Sequence, residues 1–425
     1  NFLLRLWKRS GESSTIAMAE KTLEGMSRGG IWDHIGFGFH RYSVDERWYK
    51  PHFEKMLYDQ ALLAIAFLET FQVTGKDFYA LMASRIFEYV LRDLKSPEGA
   101  FYSSESAESG GEEGGFYLWT REEVEAILGK ERGELFSSFY GINSRESIPF
   151  IGKSPQEFAS GRGMSVDELE GILEESRKAL FKARLKRPRP LRDEKILTDW
   201  NGLMIAALAM GGRILRNEIY TSAAIAAADF LLTRMRADDG SLLHRYFDGE
   251  SAIPGFLDDY AFLAWGLLEL YRTTFEPRFM EEALSLAHEM VELFRDPEGG
   301  GFFFSRKAGG GFAFPLKIFH DGAIPSGNSV AAMVLLKLGR ATGRTELERE
   351  GWRILEGTAG MVGSAPSAYT FLLTAVDFAL GPAKEIVIAA KSREEAEPFL
   401  RILDAEFLPE AVVLFRPDDP KGRNI

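Results

Sequence analysis

The sequence predicts an all-α chain folded as an (α/α)6 barrel, a six-hairpin toroid, with small β-hairpins in its rim loops and a small C-terminal β-α-β appendage. Three observations predict it. Helical periodicity runs through most of the chain. Two kinds of helix alternate, one amphipathic and one apolar on nearly every side. The linkers alternate as well, short ones with long Gly-rich ones.

In chain order, amphipathic segments fall at roughly 12–27, 77–94, 165–185, 217–236, 278–295 and 344–361. Apolar segments fall at 53–74, 198–216, 256–275, 325–343 and 364–380, with 120–141 as a weaker sixth that opens on the capping-box pattern Thr120-Arg121-Glu122-Glu123. A helix that is apolar all round must be buried all round. Six inner helices inside six half-exposed ones follow. Turns out of the apolar helices are short, as in Val73-Thr74-Gly75-Lys76. The return linkers carry reverse-turn patterns: Pro97-Glu98-Gly99-Ala100-Phe101-Tyr102, Asp238-Asp239-Gly240-Ser241-Leu242-Leu243 and Asp296-Pro297-Glu298-Gly299-Gly300-Gly301-Phe302. The barrel is assigned to residues 1–381 and the appendage to 382–425, where strand patterns at Lys384–Ala390 and Ala411–Phe415 flank a helical stretch from Ser392 to Asp404.

Composition removes several classes of function. With 425 residues and a formal charge of −12, the chain is a poor partner for nucleic acid. No apolar run approaches the roughly 18 residues of a membrane span. Cysteine is absent, so disulfides, thiolate nucleophiles and Cys-ligated metals are out, and a cytoplasmic setting is expected. No two-histidine helical pair indicates a metal, and Gly36 and Gly38 lack the strand that a dinucleotide fingerprint needs, so no cofactor is expected.

The chemistry concentrates in the linkers. Residues 29–60 pack His34, His40 and His52 among glycines and aromatics, and His244 and His320 sit in later linkers; only His288 falls on an outer helix. Imidazoles titrate near neutral pH, so a rim carrying five of them suits proton transfer. The apolar helices also begin on polar residues: His52-Phe53-Glu54, Thr198-Asp199-Trp200-Asn201, Leu257-Asp258-Asp259-Tyr260 and Ser326-Gly327-Asn328-Ser329. Thr198 and Ser326 read most simply as helix caps. Capping does not explain Trp200, Asn201 and Tyr260 inside otherwise apolar helices; such groups must face a cavity or find partners. A cavity lined by Trp, Tyr, Asp, Asn and His suits a sugar. The candidate acid–base residues are therefore His40, His52, His244, His320, Glu54, Asp59, Asp199 and Asp258. The candidate substrate-binding residues are Trp32, Asp33, Arg41, Tyr42, Trp200, Asn201, Asp259, Tyr260, Ser326 and Asn328.

Phe39-His40-Arg41-Tyr42-Ser43 and Pro51-His52-Phe53-Glu54-Lys55-Met56-Leu57-Tyr58-Asp59-Gln60 resemble the spermatogenesis-associated, thioredoxin-domain-containing protein family. Asp199-Trp200-Asn201-Gly202-Leu203-Met204, Asp258-Asp259-Tyr260-Ala261-Phe262 and Ile324-Pro325-Ser326-Gly327-Asn328-Ser329 carry the same resemblance, which runs from about Gly29 to Gly381. It implies a barrel similar to those of six-hairpin glycosidases and N-acylglucosamine 2-epimerases. Members usually carry an N-terminal thioredoxin-like domain, which this sequence does not show, and Asn143 to Gly163 departs from the family pattern. Three functions remain open: a sugar epimerase or isomerase using His and carboxylate acid–base chemistry, a glycoside hydrolase using paired carboxylates, and a non-catalytic sugar- or peptide-binding barrel working with a thioredoxin-like domain. The expected ligand is a small carbohydrate.

Overall fold

The computed structural model describes residues 1–306 and 316–418. The chain opens with the hairpin α1 (Phe2–Ser10) and α2 (Ser13–Arg28), then α3 (Leu57–Thr74) and α4 (Asp77–Tyr89), which runs on as a π turn over Val90–Leu94. Four helices follow to one side: α5 (Arg121–Leu128), α6 (Lys130–Phe139), α7 (Pro155–Ser160) and α8 (Val166–Arg184). Hairpins resume with α9 (Thr198–Ile214) and α10 (Glu218–Arg234), α11 (Leu257–Thr274) and α12 (Pro277–Phe294), and α13 (Gly327–Thr342) and α14 (Thr345–Ser364). Helix α15 (Thr370–Leu380) precedes α16 (Arg393–Ala405).

Helices α1, α3, α9, α11, α13 and α15 pack each against the next, and α15 returns to α1, closing the inner ring. Helices α9, α11 and α13 are buried along most of their length, as their all-round apolar character requires. Close approach is built in where α9 meets α11. A Cβ on Gly202 would lie 2.5 Å from the Phe262 carbonyl carbon, and one on Gly266 would lie 2.7 Å from the Gly202 oxygen.

One element differs from the sequence expectation. The sixth inner helix is α1, not 120–141. Helices α5 to α8 form a separate core around Trp119, Phe136, Leu169 and Leu180, so 165–185 does not belong to the outer ring either. Helix α1 escapes a search for all-round apolar helices because its inward side chain is Arg5, which pairs with Glu69 inside the barrel at 2.8 Å.

The expected rim hairpins are present, closed by the bridges Lys95–Phe101, Arg236–Leu242 and Arg295–Phe302. Each is tied to an inner helix by one buried side chain. The Asn201 amide accepts from the Phe101 N–H at 2.8 Å and donates to its carbonyl at 2.9 Å. Asn328 does the same to Phe302 at 2.7 and 3.0 Å. Gln60 grips both backbone groups of Phe39 at 2.8 Å, and the Tyr260 hydroxyl accepts from the Leu242 N–H at 2.9 Å.

The segment carrying α5 to α8 leaves and re-enters the rim at one place. Strands Ser104–Glu105 and Arg192–Asp193 pair antiparallel with each other. At the opposite end, parallel strands Lys384–Ala390 and Ala411–Pro417 flank α16 and lie across the inner ring, with Leu400, Val412 and Val413 joining the main core. Residues 419–425 of the expected appendage lie outside the described residues.

Candidate active site

The first turns of α3, α9 and α11 bring Asp59, Asp199, Asp258 and Asp259 to one end of the barrel, because each inner helix starts directly after its rim strand or hairpin. At the centre, His244 and Asp259 form a dyad. His244 Nδ1 lies 2.9 and 3.1 Å from the two Asp259 oxygens. Asp259 is fully buried and also accepts from the Asp199 N–H at 3.0 Å and the Phe256 N–H at 2.7 Å. Those bonds fix the position of the carboxylate and, through it, of the imidazole, leaving Nε2 on the side away from the carboxylate. Burial alone would lower the His244 imidazole, but the hydrogen bond to Asp259 and the charges of Asp259, Asp199 and Asp258 together outweigh it and raise the group to about 9.

Two neighbouring carboxyls are raised as well. Burial and the charge of Asp259 push Asp258 up to about 7 and raise Asp199 well above the carboxylate range. Asp258 lies against the start of α13, where a Cβ on Gly327 would come within 2.1 Å of Oδ1; only glycine fits there. The Asp258 Oδ1 atom is buried without a hydrogen-bond partner among the described residues. Asp199, His244 and Asp259 each bring a ligand atom within 4.8 Å of the others, a spacing that a cation could bridge. Both Asp259 oxygens are already engaged by backbone and imidazole donors, so the cluster is better described as an acid–base group than as a metal cage.

Next along the rim, Trp200 meets Tyr58 edge-on, with ring centroids 4.7 Å apart. Asp59, beside Tyr58, is pushed up to about 8 by burial, against the pull of Arg41. Arg41 donates to Glu54 at 2.9 Å, and His52 lies 3.3 Å from Glu54 and stacks on Tyr42 at 5.1 Å. The arc His52, Glu54, Arg41, Tyr58, Asp59, Trp200, Asp199, Asp259, His244 and Asp258 is thus continuous.

Other candidates go elsewhere. His40 is buried, bonded through Nδ1 to the Phe53 carbonyl at 3.0 Å and lowered to about 3, chiefly by burial, so it stays neutral beneath the loop. Asp33 is buried between Arg184 and Lys55, and Trp32 packs on Phe37 and Phe39. Asn201, Tyr260 and Asn328 spend their polar groups on the rim hairpins described above. Ser326 caps α13, accepting from the Ser329 N–H at 3.1 Å, as the capping rule expects. Thr198 does not cap; its hydroxyl donates to the Leu243 carbonyl at 2.6 Å. His320 is exposed beside Tyr369, away from the dyad. Of the five linker histidines, only His244 joins the carboxylates of α9 and α11. Tyr58 is the member of the arc that sequence reasoning passed over; its position next to Asp59 on the first turn of an inner helix was the available signal.

These shifts carry a stability signature. From pH 6.5 to about 8, folded Asp59 and His244 keep protons that the unfolded chain has released, so their contribution falls as pH rises. His34 and His40, lowered to about 4 and 3, are neutral when folded and half protonated at pH 6.5 when unfolded, so they oppose this trend at the acid end of the window, equally in parent and variant. The Asp59→Asn variant should therefore lose less melting temperature between pH 6.5 and 8 than the parent. Equal slopes in a pair of thermal melts would show that Asp59 is ionised at neutral pH.

No family model matches the chain. It is 35% identical over 446 residues to Spermatogenesis-associated protein 20 of Homo sapiens, covering 95% of this chain and 57% of that protein. The Mus musculus protein of the same name is 34% identical, with 99% and 59% covered. The chain thus spans somewhat more than half the length of the curated relatives it matches. Among solved structures, it is similar to a glycoside hydrolase family 76 mannosidase of Bacteroides thetaiotaomicron, at TM-score 0.47 and 11% identity, covering 80% of this chain and 70% of that one. A cellobiose 2-epimerase from Spirochaeta thermophila gives TM-score 0.44 at 12% identity, covering 86% and 70%. A D-mannose isomerase gives 0.41 at 14%, covering 81% and 86%. By sequence, and over nearly its whole length, the chain is similar to part of the spermatogenesis-associated protein 20 of Homo sapiens and Mus musculus.

Proposed function

We propose that this barrel is an acid–base enzyme acting on a carbohydrate, of the epimerase or isomerase type. The observation that carries the reading is the His244–Asp259 dyad set beside Asp258 at the barrel mouth. Moving a proton from a carbon next to a sugar carbonyl needs a base and an acid poised on either side of neutrality. Asp258, near 7, supplies the base once ionised. His244, near 9, supplies the acid. Trp200 and Tyr58 offer aromatic faces to the C–H patches of a sugar ring.

Asp199 favours a second reading. A buried carboxyl held protonated beside a carboxylate that can ionise is also the pairing of a glycoside hydrolase. Proton NMR of mono- and disaccharides incubated with the protein in heavy water separates the two. Deuterium entering C2 with a new epimer or keto-sugar supports proton transfer; new reducing ends without exchange support hydrolysis; no change across the panel sinks both and leaves a binding barrel. The same reading extends to a cytoplasmic setting and a thioredoxin-like partner, tested by adding such a domain to the inactive reaction. Among the described residues, no helix is long and apolar enough to cross a membrane.

A further inference from the structure

A chamber of about 110 Å³ lies at the end of the barrel opposite the acid–base site. All six inner helices wall it, and the segment around Phe407 and Val413 of the C-terminal unit floors it. Its lining is charged, which is unusual for the inside of a helical barrel, since burying a charge requires a partner. Most of the charges have one. Arg5 is bidentate to Glu69 at 2.8 and 2.9 Å. Arg213 meets Glu269 at 3.2 Å, and Arg272 meets Asp404 at 2.6 Å.

Lys337 is the exception among the side-chain cations. It projects from α13 into the lining, and among the described residues no hydrogen bond or ion pair reaches its ammonium group. Glu69 and Glu269 are close enough to favour its charge, but both are committed to arginines, and Arg5 and Arg213 oppose it. Glu406, exposed at the edge of the chamber, also has no ion pair among the described residues, which leaves Lys337 as the one side-chain cation of the lining without an ion-pair partner. The chamber has room for several water molecules or one small ion.

We propose that this chamber is a binding site for a small oxyanion, a phosphate or a carboxylate, with Lys337 as its counter-charge. The site is separate from the His244 dyad and does not depend on the carbohydrate reading. A lysine ammonium is a point charge that suits such an ion, and the arginines, already paired with carboxylates, shape the surrounding field. The C-terminal unit completes the enclosure.

Thermal melts of the full chain test it, in sodium phosphate, sodium acetate and sodium chloride at matched ionic strength. A ligand that binds only the folded state raises the melting temperature. The expected result is a rise of about 2 °C or more at tens of millimolar phosphate or acetate over chloride, lost in Lys337→Met and kept in His244→Gln. A rise with phosphate alone identifies a tetrahedral oxyanion, and a rise with acetate alone a carboxylate. No rise with either, or an undiminished rise in Lys337→Met, overturns the proposal. Should Lys337→Met fail to fold, acetylation of the parent protein followed by mass spectrometry replaces it. The stabilising anion should slow labelling of Lys337 severalfold and leave surface lysines unchanged; equal labelling of Lys337 overturns the proposal.

Discussion

Asp33→Ala should cost the fold about 3–5 kcal/mol, the loss expected when one partner of a buried ion pair is removed and its counter-charge is stranded. Here two cations are stranded. Arg184 grips both Asp33 oxygens at 2.8 Å, and Lys55 reaches the same carboxylate at 2.8 Å. All three side chains are nearly inaccessible, at 2–4%. The Ile35 and Gly36 N–H groups also donate to Asp33 at 3.0 Å, so the carboxylate organises the loop as well. Arg184 and Lys55 hold Asp33 well below the usual carboxylate range even against its burial. Denaturant midpoints of Asp33→Ala and of Glu54→Ala make the measurement. Glu54 and its partner Arg41 are solvent-exposed, and removing that pair should cost less than about 1 kcal/mol. Similar losses in the two variants would show that the buried network carries no special weight.

His244→Gln should lower turnover about 10²–10⁴-fold, the usual contribution of a general acid or base, with substrate affinity nearly retained. The rate should follow a bell, rising as Asp258 ionises near pH 7 and falling as His244 loses its proton near pH 9. Asp258→Asn should remove the acidic limb together with most of the activity. Asp259→Asn should shift the alkaline limb down, because the carboxylate that raises the imidazole is gone. An alkaline limb unmoved in Asp259→Asn would mean that the imidazolium is not the acid. If His244→Gln weakened affinity and left turnover alone, the dyad would be a binding element.

The inner and outer helices were legible in the sequence because burial on all sides leaves an all-round apolar pattern, as in Phe262-Leu263-Ala264-Trp265-Gly266-Leu267-Leu268 of α11. The rim hairpins were legible through their turn residues. Helix α1 was not, since a barrel that lines one end with ion pairs puts arginine where the pattern calls for leucine. The side cluster was mistaken for barrel because α8 has the ordinary amphipathicity of any surface helix and only its partners, α5 and α6, show where it belongs. In the site, residue type was a weak guide to role. Asn201 and Asp199 are neighbours with similar polarity, yet one binds a hairpin and the other faces the dyad. His40 and His244 are both linker histidines, but the first meets a carbonyl in a buried loop and the second a carboxylate. Those partners lie 13 and 15 residues on, across a loop and a hairpin whose course the spacing alone does not give.

The pairing of Ser104–Glu105 with Arg192–Asp193 has an evolutionary reading. Since the two ends of the α5–α8 segment meet side by side, with the Ser106 N–H donating to the Leu191 carbonyl at 2.8 Å, the segment has the topology of a guest inserted into a host loop. Long insertions cost little once their ends are close, because closure entropy grows only with the logarithm of length. A short turn at this point would leave the ring complete, since none of its neighbouring inner-helix contacts runs through α5–α8. The guest is held to the host by more than its ends: Arg184, its last helical residue, pairs with Asp33, and Arg177 donates to the Ile35 carbonyl at 2.9 Å. Excision of the guest would leave the ring's topology intact and Asp33 with Lys55 as its remaining counter-charge, half of its present set.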